Sequence, residues 1–254
     1  MNQETLIKEV EAGNEISGID FADMDWSALE LADTIFQRCT FIKARFIETG
    51  FEDTLFEDCV FKGCGFPRAK LRGATFKDCL FFDAESKTGT DFSYAHMREV
   101  TFQRCNLSTS RFRAANLYEA RFEDCSTQGC DFEKARFSHA IAGKSSHINT
   151  SVYMHGTNFD YADFSSLSFE SCVASDCSFR EGNLRNCDFK DADLSQTDLS
   201  GADTNGASFD ATDLRGANIT GLMLGQLNSF DPMKIGAAQQ KELLLGLGIQ
   251  VFKS

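Results

Sequence analysis

The chain of 254 residues lacks most of the marks by which an enzyme, a membrane protein or a nucleic-acid-binding protein is known. It has only four histidines, His96, His139, His147 and His155, and no Ser/His/Asp, HExxH or Walker-type arrangement accompanies them. His139, His147 and His155 recur at spacings of eight, but no Cys or carboxylate stands with them at a ligand spacing. No catalytic residue, cofactor or metal is therefore expected. No apolar run approaches the roughly 20 residues of a membrane span. The opening MNQETLIKEVEAG has neither a basic n-region nor an apolar h-region. The expected setting is cytoplasmic, away from membranes. Basic charge is scarce too: 25 Lys and Arg face 38 Asp and Glu, a net charge of −13. Residues 1–33 hold nine acids and one Lys, residues 34–139 hold 15 acids and 16 basic side chains, and residues 140–254 hold 14 and 8. Phosphates demand a basic surface, so direct binding of nucleic acid is excluded and a basic partner is favoured.

What the chain has instead is a period of five. From Phe21 every fifth residue is Phe21, Trp26, Leu31, Phe36, Phe41, Phe46, Phe51, Phe56, Phe61, Phe66, Leu71, Phe76 and Phe81, all large and apolar. Neither the 3.6-residue period of a helix nor the two-residue alternation of a strand gathers such a set on one face. The backbone must turn a corner every five residues. Two positions earlier runs a column of small residues, Cys39, Ala44, Thr49, Thr54, Cys59, Cys64, Ala69, Ala74 and Cys79. Each unit thus offers one large and one small inward residue, and four units close a square coil of about 20 residues that stacks on its neighbours at roughly 4.8 Å. Twenty-two of the 25 Phe fall in the large column, so aromatic content is structural. All ten Cys take the small position, which makes them buried thiols rather than ligand pairs and favours a reducing compartment.

The first run is interrupted between Phe81 and Phe92, eleven residues apart, where one extra residue beyond the repeat and Gly89 predict a bulge or short projecting loop over 82–91. A second run, Phe92 to Phe137, has Thr127 as its one poor occupant. Residues 140–151 hold no repeat and should leave the rod as a loop. The third run, Met154 to Leu224, places Asp or Asn before most centres, to bond backbone at the corners and add a negative stripe. In all, about nine or ten coils and a rod on the order of 45 Å are expected.

Both ends need covers, since open coil ends are unpaired strand edges. Residues 1–15 supply an N-terminal cap, helical over 4–14 with Leu6, Ile7 and Val10 on one side and Gly13 as its stop. The solenoid occupies 16–230. Asp231-Pro232 reads as a helix start, with Met233 to Leu245 helical and Ile249 to Phe252 alternating like an edge strand. Leu243, Leu244, Leu247, Ile249, Val251 and Phe252 are apolar enough to make 231–254 a dimerisation segment.

The run Ala192-Asp193-Leu194-Ser195-Gln196, Thr197-Asp198-Leu199-Ser200-Gly201 resembles the pentapeptide-repeat family, whose unit is A-(D/N)-(L/F)-x-x. That resemblance implies an all-β fold, a right-handed quadrilateral parallel β-helix. Phe81-Phe82-Asp83-Ala84-Glu85-Ser86-Lys87-Thr88-Gly89, the following Phe92-Ser93-Tyr94-Ala95 and Leu243-Leu244-Leu245-Gly246-Leu247-Gly248-Ile249 resemble the Qnr quinolone-resistance group in its first loop and C-terminal segment. The resemblance spans roughly residues 71–254. It implies a homodimeric DNA mimic that binds DNA gyrase or topoisomerase IV and relieves poisoning by quinolones or other gyrase inhibitors. Related members answer peptide toxins such as microcin B17 or albicidin. The first 70 or so residues and the second loop depart from that group, which leaves the drug or toxin open. The expected partner contacts are Asp83, Glu85 and Lys87 on the first loop and Lys144, Ser145, Ser146 and His147 on the second. Asp188, Asp193, Asp198, Asp203 and Asp213 are expected to contribute along the rod. A repeat scaffold or immunity protein with a different protein partner is the alternative reading.

Overall fold

A computed structural model describes residues 2–22, 24–140 and 148–252. The period of five becomes a parallel β-solenoid. Four ladders run along it at offsets of five residues, as in the pairs Ile35–Leu55, Thr40–Val60, Arg45–Gly65 and Gly50–Lys70. On one face the pairing forms an eight-stranded sheet of Ile16–Ser17, Ile35–Gln37, Leu55–Glu57, Thr75–Lys77, Thr101–Gln103, Ala120–Glu123, Val152–His155 and Val173–Ser175. Bridges Val173–Asp193, Asp193–Asp213 and Asp213–Lys234 carry that face to the C-terminal end.

Each unit turns its corner at the second residue after the centre, where the backbone is left-handed: φ is 54° at Asp53, 54° at Asp58 and 61° at Tyr94. Asp and Asn tolerate this conformation better than other non-glycine residues. The repeat also admits Arg38, Lys43 and Tyr94 there, because the stacked coils on both sides hold the turn. Inside, the phenylalanines form columns along the axis. Phe36 and Phe56 stack with centroids 5.1 Å apart, Phe56 and Phe76 at 4.8 Å, Phe41 and Phe61 at 4.9 Å. Rings of adjacent columns meet edge to face, as Phe36 and Phe41 do at 5.8 Å and 70°. Parallel stacking along the axis and edge contact across it are the two arrangements an aromatic quadrupole favours.

The small column has a polar task as well as a steric one. Thr49 Oγ1 donates to the Trp26 carbonyl at 2.9 Å and Thr54 Oγ1 to that of Leu31 at 2.9 Å. Thiols do the same more weakly, Cys64 Sγ to the Phe41 carbonyl at 3.2 Å and Cys130 Sγ to that of Leu107 at 3.1 Å. All ten cysteines are free and buried. Burial pushes the thiols of Cys64, Cys172, Cys177 and Cys187 up to about 12, so at neutral pH they carry no nucleophilic thiolate. We expect a thiol reagent at pH 8 to label few of the ten in the folded protein and all ten in guanidinium. Rapid labelling of most of them without denaturant would place the column outside the core.

The interruptions are larger than their remainders against five suggest. Phe76 lies over Phe102, 26 residues on instead of 20, so the first break inserts six residues into one coil. Phe122 lies over Met154, 32 residues on, an insertion of twelve. At the N-terminal end, helix α1 (Gln3–Glu11) is capped by Asn2, whose side chain accepts from Thr5 N at 2.9 Å, and it buries Leu6 in the core. At the other end the expected helix start is displaced. Asp231-Pro232 lies in a turn, and the ladder runs on past Leu224: Lys234 N donates to the Thr212 carbonyl at 2.9 Å and Leu214 N to that of Lys234 at 2.8 Å. Completing a last coil satisfies backbone groups that an earlier helix would strand. Helix α2 (Gln240–Gly246) therefore begins only after a 3₁₀ turn at Ala237–Gln239. Gln239 is the cap, donating from Nε2 to the carbonyls of Leu214 at 2.7 Å and Ala217 at 2.8 Å. Residues 249–252 follow α2 with no strand partner among the described residues.

Candidate interaction surfaces

The first insertion is a small, internally bonded projection. Asp83 and Thr88 pair antiparallel, with Asp83 N donating to the Thr88 carbonyl at 2.9 Å. The Asp83 carboxylate accepts from Glu85 N at 3.0 Å and from Ser86 Oγ at 2.8 Å, and Ser86 Oγ meets Thr88 Oγ1 at 2.7 Å. The Glu85 amide and then the Ser86 hydroxyl hold the Asp83 carboxyl below its usual range. Asp83 is thus the brace of the loop, while Glu85 and Lys87 are exposed at its tip. Gly89 closes the loop against the next coil. A Cβ there would overlap Ser110 N and the Ser108 carbonyl, both backbone atoms that cannot swing away. Gly89→Ala should cost about 1–3 kcal/mol by overpacking, read as a lower midpoint in denaturant. An unchanged midpoint would mean the loop does not rest on the 108–110 corner.

The second insertion leaves the rod on an antiparallel stem, Ser138–Ala140 against Ile148–Thr150 in the register Ser138–Thr150, His139–Asn149 and Ala140–Ile148. Lys144, Ser145, Ser146 and His147 lie outside the described residues. The root of the stem is held in a way the repeat pattern does not reveal. On the outgoing side Arg98 lies 5.0 Å over the buried Tyr118 ring, which packs against His139 at 5.5 Å. On the returning side Arg121 lies 5.0 Å over Tyr153. Tyr118 and Tyr153 are the aromatic residues next to inward positions that flank the break, and that adjacency was the available clue. His155, on the returning strand, has Nδ1 3.4 Å from Ser175 Oγ and 3.7 Å from Asp176. Among the described residues no three His, Cys, Asp or Glu side chains stand close enough to hold a metal ion.

The acidic residues of the third run do not form one stripe. Asp193 and Asp213 share a ladder, but Asp188 pairs with Ser208, Asp198 with Asn218 and Asp203 with Asn183, each on a different face. A step of five residues is one corner, so neighbouring Asp residues in sequence point a quarter-turn apart. Each first serves its own corner: the Oδ1 atoms of Asp188, Asp193, Asp198, Asp203 and Asp213 accept the backbone N–H two residues on, at 2.9–3.2 Å. Arg215 also pairs with Asp213 at 2.6 Å and Arg185 with Asp203 at 3.0 Å. Asp188, Asp193 and Asp198 keep half-exposed carboxylates without an ion-pair partner among the described residues.

At the C-terminal end the apolar set divides. Leu243 is 8% exposed and joins its own chain's core, so it is withdrawn from the seam; Leu244 is half-buried. Leu247, Ile249, Val251 and Phe252 are exposed, Phe252 at 82%, and Leu245 and Phe230 are exposed as well.

The sequence family described as the pentapeptide repeat region matches residues 86–151 and 148–219, and the pentapeptide repeats (8 copies) match 41–78. The pentapeptide repeat protein QnrB4 of Escherichia coli is 36% identical over 94 residues, 37% of this chain and 43% of that relative. The quinolone resistance pentapeptide repeat protein QnrB96 of Scandinavium goeteborgense is 34% identical over 107 residues, 42% of this chain and 49% of the relative. The matched stretch therefore spans less than half the length of these curated relatives. In structure the rod is similar to QnrB1, a plasmid-mediated fluoroquinolone resistance protein. Its full-length form covers 93% of this chain and 100% of its own, with a TM-score of 0.77 at 25% identity. A trypsin-treated variant covers 84% and 99%, also with a TM-score of 0.77, at 28% identity. With four-sided coils built on the repeat and family matches over more than half of its length, the chain belongs to the pentapeptide-repeat family.

Proposed function

We propose that this protein binds a type II topoisomerase, DNA gyrase or topoisomerase IV, as a DNA mimic and protects it from quinolones or related poisons. The observation that carries the reading is the likeness of the whole rod to the fluoroquinolone-resistance protein QnrB1, joined to sequence relatives of the same group. Its physical support is a narrow shaft with half-exposed carboxylates on several faces, which can enter a basic channel by charge and shape. Two insertions project from that shaft, where contacts beyond mimicry belong. No step of the proposal needs catalysis by this chain. In a gyrase supercoiling assay with ciprofloxacin, added protein should restore supercoiling in proportion to its concentration. Persistent inhibition by the drug at every concentration would reject the protective role and leave a scaffold with another partner.

The same reading includes a homodimer joined at the C-terminal end, since apolar side chains exposed together at one terminus are a self-complementary patch. The seam is assigned to Leu247, Ile249, Val251 and Phe252, with Leu244 at its margin. Truncation at Asp231 would also strip Gln239 and Lys234 from the last coil, so ending the chain at Gly246 is the cleaner cut. That shortened protein should sediment as a monomer. A dimer of unchanged stability would move the seam elsewhere.

A further inference from the structure

A groove on the rod is lined by more basic than acidic side chains. It runs along the corner between two faces, has a volume of about 430 Å³, and is lined by Glu48, Arg68, Lys70, Tyr94, His96, Ala114 and Arg136. The solenoid places these residues in two adjacent columns. Glu48, Arg68, Tyr94 and Ala114 are successive left-handed corner residues, with φ of 57°, 58°, 61° and 55°. Lys70 and His96 are ladder neighbours, and Arg136 continues that ladder through Asn116. The short side chain of Ala114 leaves the notch between the Tyr94 ring, 54% exposed, and Arg136.

Arg68, Lys70 and Arg136 line the groove with Glu48, and the Glu30 and Glu52 carboxylates also act on Lys70. Glu48 is 4.0 Å from Arg68, and Lys70 also reaches Glu30 at 2.6 Å. Neither the Arg136 guanidinium nor the His96 ring has a hydrogen-bond or ion-pair partner among the described residues. We propose that this groove docks a short acidic peptide segment of a protein partner, laid along the rod axis with its carboxylates on Arg68, Lys70 and Arg136 and its chain against Tyr94 and Ala114. Length decides between acidic peptide and nucleic acid. The groove lies within the near-neutral middle of the chain, between an N-terminal stretch with nine acids and one Lys over residues 1–33 and a C-terminal stretch with 14 acids and 8 basic residues over 140–254. A polyphosphate strand longer than the groove would run onto Glu30, which continues the Lys70 ladder through Gly50, whereas a few acidic residues centred on Arg136 and Arg68 would stop short of it. An extended chain brings same-side residues up about every 6.8 Å, so two or three carboxylates reach the cations across these coils. The inference stands whether or not the partner is a topoisomerase.

The test is fluorescence anisotropy with a labelled peptide of about six glutamates and, separately, an oligothymidylate of about twelve nucleotides, each titrated with the full chain at low salt. The peptide should bind saturably and more tightly than the oligonucleotide. Arg68→Glu combined with Arg136→Glu should weaken it about tenfold or more. Arg180→Glu, on another face, should change it less than about twofold. All three side chains are exposed or half-exposed, and circular dichroism and melting confirm that the variants fold. No saturable peptide binding, an equal loss in the Arg180 variant, or tighter binding of oligothymidylate would each overturn the proposal.

Discussion

Replacing Phe56 by alanine should destabilise the protein by about 3–5 kcal/mol, seen as a large fall in the denaturant midpoint. The ring is fully buried, stacked between Phe36 at 5.1 Å and Phe76 at 4.8 Å and touched edge-on by Phe41, Phe51 and Phe61. Alanine forfeits the transfer free energy of the ring and leaves a void that cannot collapse, because the coils above and below are tied by ladder hydrogen bonds at fixed spacing. Phe122→Ala should behave alike, its ring packing against Phe102, Phe112, Phe132 and Phe159. A solenoid couples each coil only to its neighbours. The variants should therefore also broaden the transition if the two halves begin to unfold separately. Losses below about 1 kcal/mol at both sites would mean that these rings are not stacked inside.

Why the shaft could be read from sequence, and its surfaces less well, follows from the repeat. Every fifth residue is inward, so the identity of Phe21 through Phe81 alone determines the coil, the column and the burial. The small column was legible as small, yet its hydrogen bonds to the preceding coil were not, because Thr, Cys and Ala share a size and differ in chemistry. The broken period signals the insertions, but a remainder modulo five cannot tell one extra residue from six. The Asp residues of the third run looked like a stripe because they are regular in sequence; regularity at five residues means rotation by a quarter-turn. Asp231-Pro232 carried a genuine helix-start pattern, overridden by a last coil that needed Lys234 to complete its ladder. Tertiary hydrogen bonding won over local propensity there. The groove beside Tyr94 was hidden for a similar reason: Glu48, Arg68, Tyr94, Ala114 and Arg136 are far apart in the chain and meet only once the coils are stacked.

On the proposed protection of a topoisomerase, the largest functional effect should come from the second insertion. Charge and shape can bring a rod into a DNA channel, but rescue from a drug requires in addition a contact that changes how the topoisomerase holds cleaved DNA. The shaft is rigid and repetitive, so such a contact belongs on an insertion, and the twelve-residue one is twice as long as the six-residue one braced by Asp83. Its stem pairs Ser138–Ala140 with Ile148–Thr150, and Thr150 is buried at the root. Excision through residue 150 would therefore damage the coil as well as remove the tip. Exchanging residues 141–147 for a two-residue Asn-Gly turn keeps the stem, since that turn matches the twist of an antiparallel pair. We expect this variant to melt with the parent and to self-associate like it. It should nevertheless fail to restore gyrase supercoiling in the presence of ciprofloxacin, even at about tenfold higher concentration, whereas shortening 83–88 while keeping Gly89 should weaken rescue only in part. Full rescue by the tip-exchanged protein at the parent's concentration would leave the insertion without a role. Protection would then rest on the carboxylates around the shaft, with Asp188, Asp193 and Asp198 the first to replace by Asn, because unlike Asp203 and Asp213 they hold no ion pair among the described residues.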